Sequence, residues 1–460
     1  MSYAAEISKM KGGHLNIHDL KTKTARWNHF HKVDLLGAFD FYTTIVSFDA
    51  LSAADLNEVK KHCSTDLRFD SPITPKQYEA LSKVLPLAAH EYTHFVDATS
   101  SIWGLGHLNL MNDAYLADDR RGGKEHDFAK AKAFYDHVRS IRLPDYYTVV
   151  NENADDRQPW KSTISIGQIF SRGGEPSTRP VLFSRFENAK DELLARSPIS
   201  TVSLLEASAM AQELFIQGQL ISQCESDFKH VEWKQFTQRL LGYLYRKDVT
   251  EYSVCVHVLA NKLNCTDIAS AFQLCALLTR IALNFTDELF DSIAGRAPIA
   301  EILQLPRESP FIASALAGLR QRDRGILFYL LCNALPADSH NNPKPEQAVR
   351  AAANSVGFDV DTLRESATRE AKRLASSLIS SEIRPIQALA RAGLANFYIT
   401  DFDRAPLRFN QMHLPPAVLG DSSELQVFGG NGLADFDVSA CFDELFFGQS
   451  WVERFAEACL

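Results

Sequence analysis

The chain reads as an α+β protein, predominantly α-helical, with a small N-terminal sheet packed on one buried helix and a helical C-terminal region. Three observations predict this. Residues Phe39 to Phe48, FDFYTTIVSF, concentrate β-branched and aromatic residues and read as a strand. Thr74-Pro75 then supplies an N-cap followed by proline in the first helical position, and apolar residues recur at helical spacing through Tyr78, Leu81 and Val84. From Ser200 onward, helical patterns dominate.

Taken in order, Pro86 falls inside the first helical pattern, where it either kinks the helix or starts a second one. In both cases a helix over 86–103 is expected, with Gly104 and Gly106 at its end. Two short apolar segments, Ile164–Phe170 and Val181–Phe186, flank a loop-like stretch from Ser171 to Pro180 and suggest a hairpin with a long connection. A helix over 201–217 follows, begun by Ser200 or Thr201. Leu335 to Pro345, LPADSHNNPKP, is the best linker candidate. Beyond it come helical stretches at 345–355, 360–380 and 383–395, then an irregular region and an apolar helix over 443–459. The division this suggests is a catalytic region over 1–300 and a helical region over 301–460.

Composition narrows the function classes. With 45% hydrophobic and 23% charged residues the chain is an ordinary globular protein. The N-terminus lacks the apolar stretch of a signal peptide, and no run of about 18 apolar residues occurs elsewhere, so a cytoplasmic location is expected. The eight cysteines include no Cys-x-x-Cys pair and are expected to be reduced and mostly buried. A net charge of −9 disfavours general binding to nucleic acid or anionic membrane; the local cluster Arg120, Arg121 and Lys124 reads as a solvated loop.

One signature carries chemistry: His90-Glu91-Tyr92-Thr93-His94. On a helix, positions i and i+4 share a face, so His90 and His94 can present two imidazoles to one metal ion with Glu91 beside them. A catalytic zinc ion keeps one position for water, and the adjacent glutamate takes the proton as that water attacks a carbonyl. With 14 histidines in the chain, the pattern is expected by chance only about 0.02 to 0.03 times.

His90-Glu91-Tyr92-Thr93-His94-Phe95, followed by Asp97-Ala98-Thr99-Ser100-Ser101 and a Gly-Leu-Gly turn, resembles the zincin superfamily of metallopeptidases. It is especially similar to uncharacterised bacterial proteins with a His-Glu-Tyr-x-His-aromatic helix. The resemblance covers a small part of the chain. It implies a zincin-like catalytic core whose sheet lies upstream of the active-site helix, with an edge strand that holds an extended peptide by β-augmentation. It also implies Zn2+ held by His90, His94 and a third ligand, with Glu91 as general base.

Metzincins place that third ligand, a histidine, six residues after the second, with a glycine between. Here Ser100 and Asp97 occupy those positions. A gluzincin-like arrangement takes a glutamate from a later helix, and Glu206 in STVSLLEASAMAQE is the best candidate, with Ala207, Ser208, Ala209 and Ala211 small enough for close helix approach. Glu213, two turns on, lies on the same face and is suited to orient a ligand histidine. Gluzincins commonly carry an aspartate four residues after the ligand glutamate; this chain has Met210. His107, Asp97 and Asp113 are weaker rivals for the third ligand. For an oxyanion stabiliser, Tyr243, Tyr245, Tyr252 and His257 all remain open, although the apolar surroundings of His257 suit a core histidine.

His14, His18, His29 and His31 resemble metal pairs by spacing but lack a third donor, and Gly429 to Gly432 reads as a turn. The expected activity is therefore zinc-dependent hydrolysis of a protein or peptide substrate, with the C-terminal region shaping access or binding a regulatory protein. A metal-binding scaffold with a degenerate zincin site, and a toxin or defence effector protease, are the alternatives.

Overall fold

The computed structural model describes residues 36–62, 71–170, 174–429 and 436–459. His14, His18, His29 and His31, Cys63 and Gly430 to Gly432 lie outside the described residues. The protein is α+β and predominantly helical. Among the described residues no single helix is long and apolar enough to cross a membrane. The described cysteines Cys224, Cys255, Cys265, Cys275, Cys332, Cys441 and Cys459 form no disulfide, and five of them are buried.

The first elements among the described residues are β1 (Ala38–Phe39) and β2 (Val46–Phe48), then α1 (Ala53–His62), α2 (Pro75–Ser100), α3 (Ile102–Leu116) and α4 (Phe128–Ile141). A sheet of β3 (Val149–Val150), β4 (Lys161–Phe170), β5 (Pro176–Glu187) and β6 (Leu193–Pro198) precedes α5 (Thr201–Gln223) and α6 (Ser226–Leu244). Helices α7 (Thr250–Leu263), α8 (Ile268–Leu283), α9 (Asp287–Arg296), α10 (Ile299–Leu303), α11 (Pro310–Arg320) and α12 (Arg324–Ala334) follow. Beyond the Leu335–Pro345 stretch, which holds one short 3-10 turn, come α13 (Pro345–Val356), α14 (Val360–Ile379) and α15 (Arg384–Ile399). Strands β7 (Ala417–Leu419) and β8 (Glu424–Leu425) and helix α16 (Val438–Ala458) complete the chain.

The expected strand over Phe39–Phe48 is two short strands instead. Asp40 breaks it: its Oδ1 accepts the backbone N–H groups of Tyr42 and Thr43 at 2.8 and 2.9 Å, folding the chain into a turn that reverses β1 onto β2. The sheet is also less local than expected. Its order is β1-β2-β7-β8, and Ser47 and Phe48 of β2 pair in parallel with Val418 and Leu419 of β7. Half of the sheet beside the helix that carries His90 and His94 therefore comes from a distant part of the chain. The expected hairpin forms as β4 and β5 inside a second, antiparallel sheet of order β3-β6-β5-β4.

Helix α2 begins at Pro75 rather than at 86. Thr74 and Gln77 make a reciprocal capping box, in which Thr74 N–H donates to Gln77 Oε1 at 3.0 Å and Gln77 N–H to Thr74 Oγ1 at 3.4 Å. Pro86 neither ends the helix nor starts another, since α2 runs unbroken to Ser100. The glycines do not terminate it either. Ser101 caps a new helix, its Oγ accepting Gly104 N–H at 2.9 Å, and a Cβ on Gly104 would stand 2.3 Å from Asp97 O. Glycine is needed there because the corner between α2 and α3 brings backbone against backbone.

Apolar residues form two principal clusters. One joins α2, α3, α4, α16 and the first sheet; the other joins α7, α8, α12, α13 and the β5–β6 face. Helix α5 serves both, with Leu204, Ala207 and Ala211 in one and Val202, Leu205 and Leu220 in the other. Buried on both sides, it carries small residues at Ala207, Ser208, Ala209 and Ala211, and packs along α2.

Candidate metal centre

His90 and His94 lie one turn apart on α2, with ring centroids 5.0 Å apart. Phe39 of β1 stacks on the outer side of His94 at 6.4 Å, and Tyr92, on the opposite face of the helix, donates its hydroxyl to Pro415 O at 2.7 Å. These contacts fix the rotation of α2, so that both imidazoles face α5. There Glu206 meets them: its Oε2 is 3.4 Å from His90 Nε2 and 3.5 Å from His94 Nε2. The three side chains are buried, each offers one donor atom, and these atoms lie within 4.8 Å of one another. The group can hold a metal ion.

The polar accounting favours this use. Among the described residues, His90 Nε2, His94 Nδ1 and Glu206 Oε2 are buried without a hydrogen-bond partner, a costly arrangement for groups that water cannot reach. A cation shared by the two Nε2 atoms and Oε2 would satisfy two of these three orphans. The other nitrogen of His90 is already committed, with Nδ1 3.0 Å from Glu213 Oε2. That contact orients the ring as expected for a second carboxylate behind a ligand histidine.

Charge is balanced inside the group. Burial opposes protonation of His90, but the nearby carboxylates of Glu206, Glu213 and Glu91 outweigh it and raise its pKa well above the usual value. Burial likewise opposes protonation of His94, and the adjacent carboxylate of Glu206 reverses the balance. For Glu206, burial disfavours the carboxylate, yet the two imidazoles keep it ionised. Anionic glutamate between two basic imidazoles is the electrostatic arrangement a divalent cation replaces.

A cavity of about 900 Å³ opens onto one side of the group, a size suited to a small molecule or a peptide segment. Its walls include Leu36, His90, Glu91, Glu213 and Tyr243. Glu91 is 1% exposed and sits against the chain entering β1, where a Cβ on Gly37 would stand 3.2 Å from Glu91 Cγ. Glycine lets that segment pass over the carboxylate side chain.

The rival ligands lie elsewhere. His107 is fully buried, with Nε2 2.8 Å from Phe41 O and Nδ1 3.2 Å from His137 Nε2, and burial pulls its pKa down to about 4. Asp113 is exposed. Asp97 interacts with Ser208, Arg280 and His94, its Oδ2 has no hydrogen-bond partner, and burial pushes its pKa up to about 6. Of the four oxyanion candidates, Tyr243 lines the cavity. Tyr245 packs on Trp160, Tyr252 is 3% exposed in the core, and His257 Nε2 is 2.9 Å from Leu244 O, a core histidine as its neighbours suggested.

One feature beside the site had no sequence signal. Arg142 and Glu251, both buried, form an ion pair with Nε and Nη2 of the arginine 2.9 and 2.6 Å from Glu251 Oε2, and the arginine lies within the field of Glu206. Neither residue belongs to a local motif, and the end of α4 and the start of α7 meet only in the folded chain. Comparison with protein-family models, with curated proteins and with solved structures finds no match.

Proposed function

We propose that this protein is a zinc-dependent metallopeptidase of the zincin type, gluzincin-like in its ligands. One observation carries the reading: His90, His94 and Glu206, from two helices far apart in sequence, converge beside a cavity whose wall includes His90 and Glu91. The donor set supports zinc over harder cations, because two imidazoles and one carboxylate suit zinc, while calcium and magnesium favour oxygen donors throughout. A closed structural site would use four protein ligands; three ligands beside a cavity fit a site that keeps a position for substrate or water.

When bound, zinc supplies Lewis acidity toward a carbonyl or water oxygen. Glu91 takes the proton from the attacking water and delivers it to the departing amine. Glu213 holds His90 in position through Nδ1. Tyr243 is assigned to the developing oxyanion, as the candidate that faces the cavity. Strand β1 has no partner on its outer edge among the described residues and passes Glu91 at Gly37, so it offers its edge to an extended peptide.

The test separates catalysis from metal-binding scaffolding. Purified protein should contain about one zinc per chain, and Glu91→Gln should keep the metal while losing cleavage of a peptide library, by about 10²-fold or more. A wild type without zinc, or a Glu91→Gln variant as active as wild type, ends the peptidase reading.

A further inference from the structure

Away from the metal centre, a second cavity of about 180 Å³ opens between α4, the β4–β5 hairpin and the starts of α5 and α12. Three arginines line it, Arg179, Arg322 and Arg324, together with His137 and the hydroxyl residues Ser200 and Thr201. Among the described residues the only acid in its wall is Asp323, whose Oδ1 is already spent on capping α12, accepting Ile326 N–H at 2.9 Å.

The fold forces this charge together. Arg179 falls where the β4–β5 register shifts, with Gln168 opposite Pro180 but Phe170 opposite Pro176, so it stands outside the regular ladder. Arg322 sits at φ 64° in the turn before α12. A Cβ on Gly325 would lie 2.3 Å from Ile199 O, so glycine allows the start of α12 to dock on the residue before Ser200. Two helix N-termini, each the positive end of its dipole, thereby reach one small space already lined by arginines.

The arginines are unequally satisfied. Arg322 pairs outward with Asp287 at 3.4 Å and Asp291 at 2.9 Å. Arg324 donates Nη1 to Ala282 O and Phe285 O at 2.7 and 3.0 Å, while its Nη2 and Nε make no hydrogen bond among the described residues. Arg179 is half-buried, and its guanidinium has no hydrogen-bond or ion-pair partner among the described residues. His137 reports the resulting field: burial first, then His107, Arg179 and Arg324, push its pKa down to about 3, so it does not add a further cation.

We propose that this cavity is a binding site for one phosphate-sized oxyanion, either free phosphate or the phosphoryl group of a small monoester. The guanidinium of Arg179 and the remaining donors of Arg324 match phosphate oxygens, and the two helix starts add backbone donors. The volume lies below the roughly 300 Å³ at which drug-sized ligand sites begin, which admits a phosphoryl group and leaves any organic remainder outside. This inference is independent of the peptidase reading.

Calorimetric titration of the full chain at low ionic strength, with inorganic phosphate in one arm and glycerol 3-phosphate in another, tests it. Saturable binding is expected in at least one arm, with equal ionic strength of sodium chloride as the blank. Binding of phosphate alone assigns the free ion, and comparable binding of the ester assigns a phosphoryl group on a larger molecule. Arg179→Ala should weaken binding at least about tenfold, and Arg179→Lys should weaken it less. Because the Arg179 guanidinium holds no hydrogen bond, its removal leaves the fold intact, which circular dichroism verifies; Arg322→Ala serves as a second variant. No saturable binding up to about 10 mM of either anion, or unchanged affinity in both Arg179→Ala and Arg322→Ala, overturns the proposal.

Discussion

Replacing Gly393 by alanine should destabilise the protein, although alanine is the better helix former. Gly393 lies within α15, which packs against the last turn of α2, and a Cβ there would stand 2.1 Å from Thr99 O and 3.0 Å from Thr99 C. An ordinary C···O contact is about 3.3 Å or more, so the two helices must part by about 1 Å. The obstacle is backbone, which no rotamer change relieves, placing the cost near the upper part of the overpacking range, about 2–3 kcal/mol. Helix propensity returns about 1 kcal/mol, leaving a net loss of about 1–2 kcal/mol. Gly106, within α3, provides the control, because nothing lies within 4 Å of its added Cβ; alanine there should gain about 0.5–1 kcal/mol. For a chain of this length the melting temperature moves by about 1 °C per kcal/mol, so parallel thermal melts should separate the two variants by about 1.5–3 °C, with wild type between them. A Gly393→Ala variant as stable as Gly106→Ala would refute the close approach of α15 to α2, and with it the bracing of the helix that bears both histidines.

Other perturbations probe the centre and its surroundings. Glu206→Ala should abolish stoichiometric metal binding, whereas Glu213→Ala should weaken it about 10- to 100-fold, as read by competition with a chromophoric chelator; identical affinities would mean that the two carboxylates do not hold the distinct positions described. Glu251→Ala removes the carboxylate paired with the buried Arg142 guanidinium and should cost about 3–5 kcal/mol in denaturant titration, while a double change to Arg142→Met and Glu251→Leu should recover most of the loss. His107 and His137 are held neutral, with pKa values pushed down to about 4 and about 3. The unfolded chain binds protons on both below about pH 6.5 and the folded chain does not, so their contribution to stability is complete above that pH and declines on acidification, by about 1.4 kcal/mol per histidine per pH unit between about pH 6 and 4. Asp97, held protonated to about pH 6, acts in the opposite sense over the same interval. A His107→Gln variant with as steep a loss as wild type in pH-dependent denaturation would contradict this account.

The parts legible in the sequence were those written in local pattern. Thr74-Pro75 announces the start of α2, the spacing of His90 and His94 puts both rings on one face, and the small residues around Glu206 mark a helix made for close packing. The illegible parts depend on partners far along the chain. FDFYTTIVSF has strand composition throughout, yet a single aspartate whose side chain captures two backbone N–H groups divides it. Gly104 has the look of a helix end, but its role is to let the turn of chain just before it come close. The pairing of β2 with β7, the salt link between Arg142 and Glu251, and the gathering of Arg179, Arg322 and Arg324 each join segments that share no periodicity.

The pairing of β2 with β7 also dictates an order of events during synthesis. A chain emerging from the ribosome can close the triad of His90, His94 and Glu206 once α5 is out, but the sheet behind Tyr92 stays half-built until Val418 and Leu419 appear. Through most of translation the aromatic face formed by Phe48 and Tyr92 has no cover from Phe428, so the nascent chain carries an adhesive surface beside the helix that bears His90 and His94. The arrival of Val418 and Leu419, rather than the meeting of His90, His94 and Glu206, is then the step at which the helix becomes fixed in place.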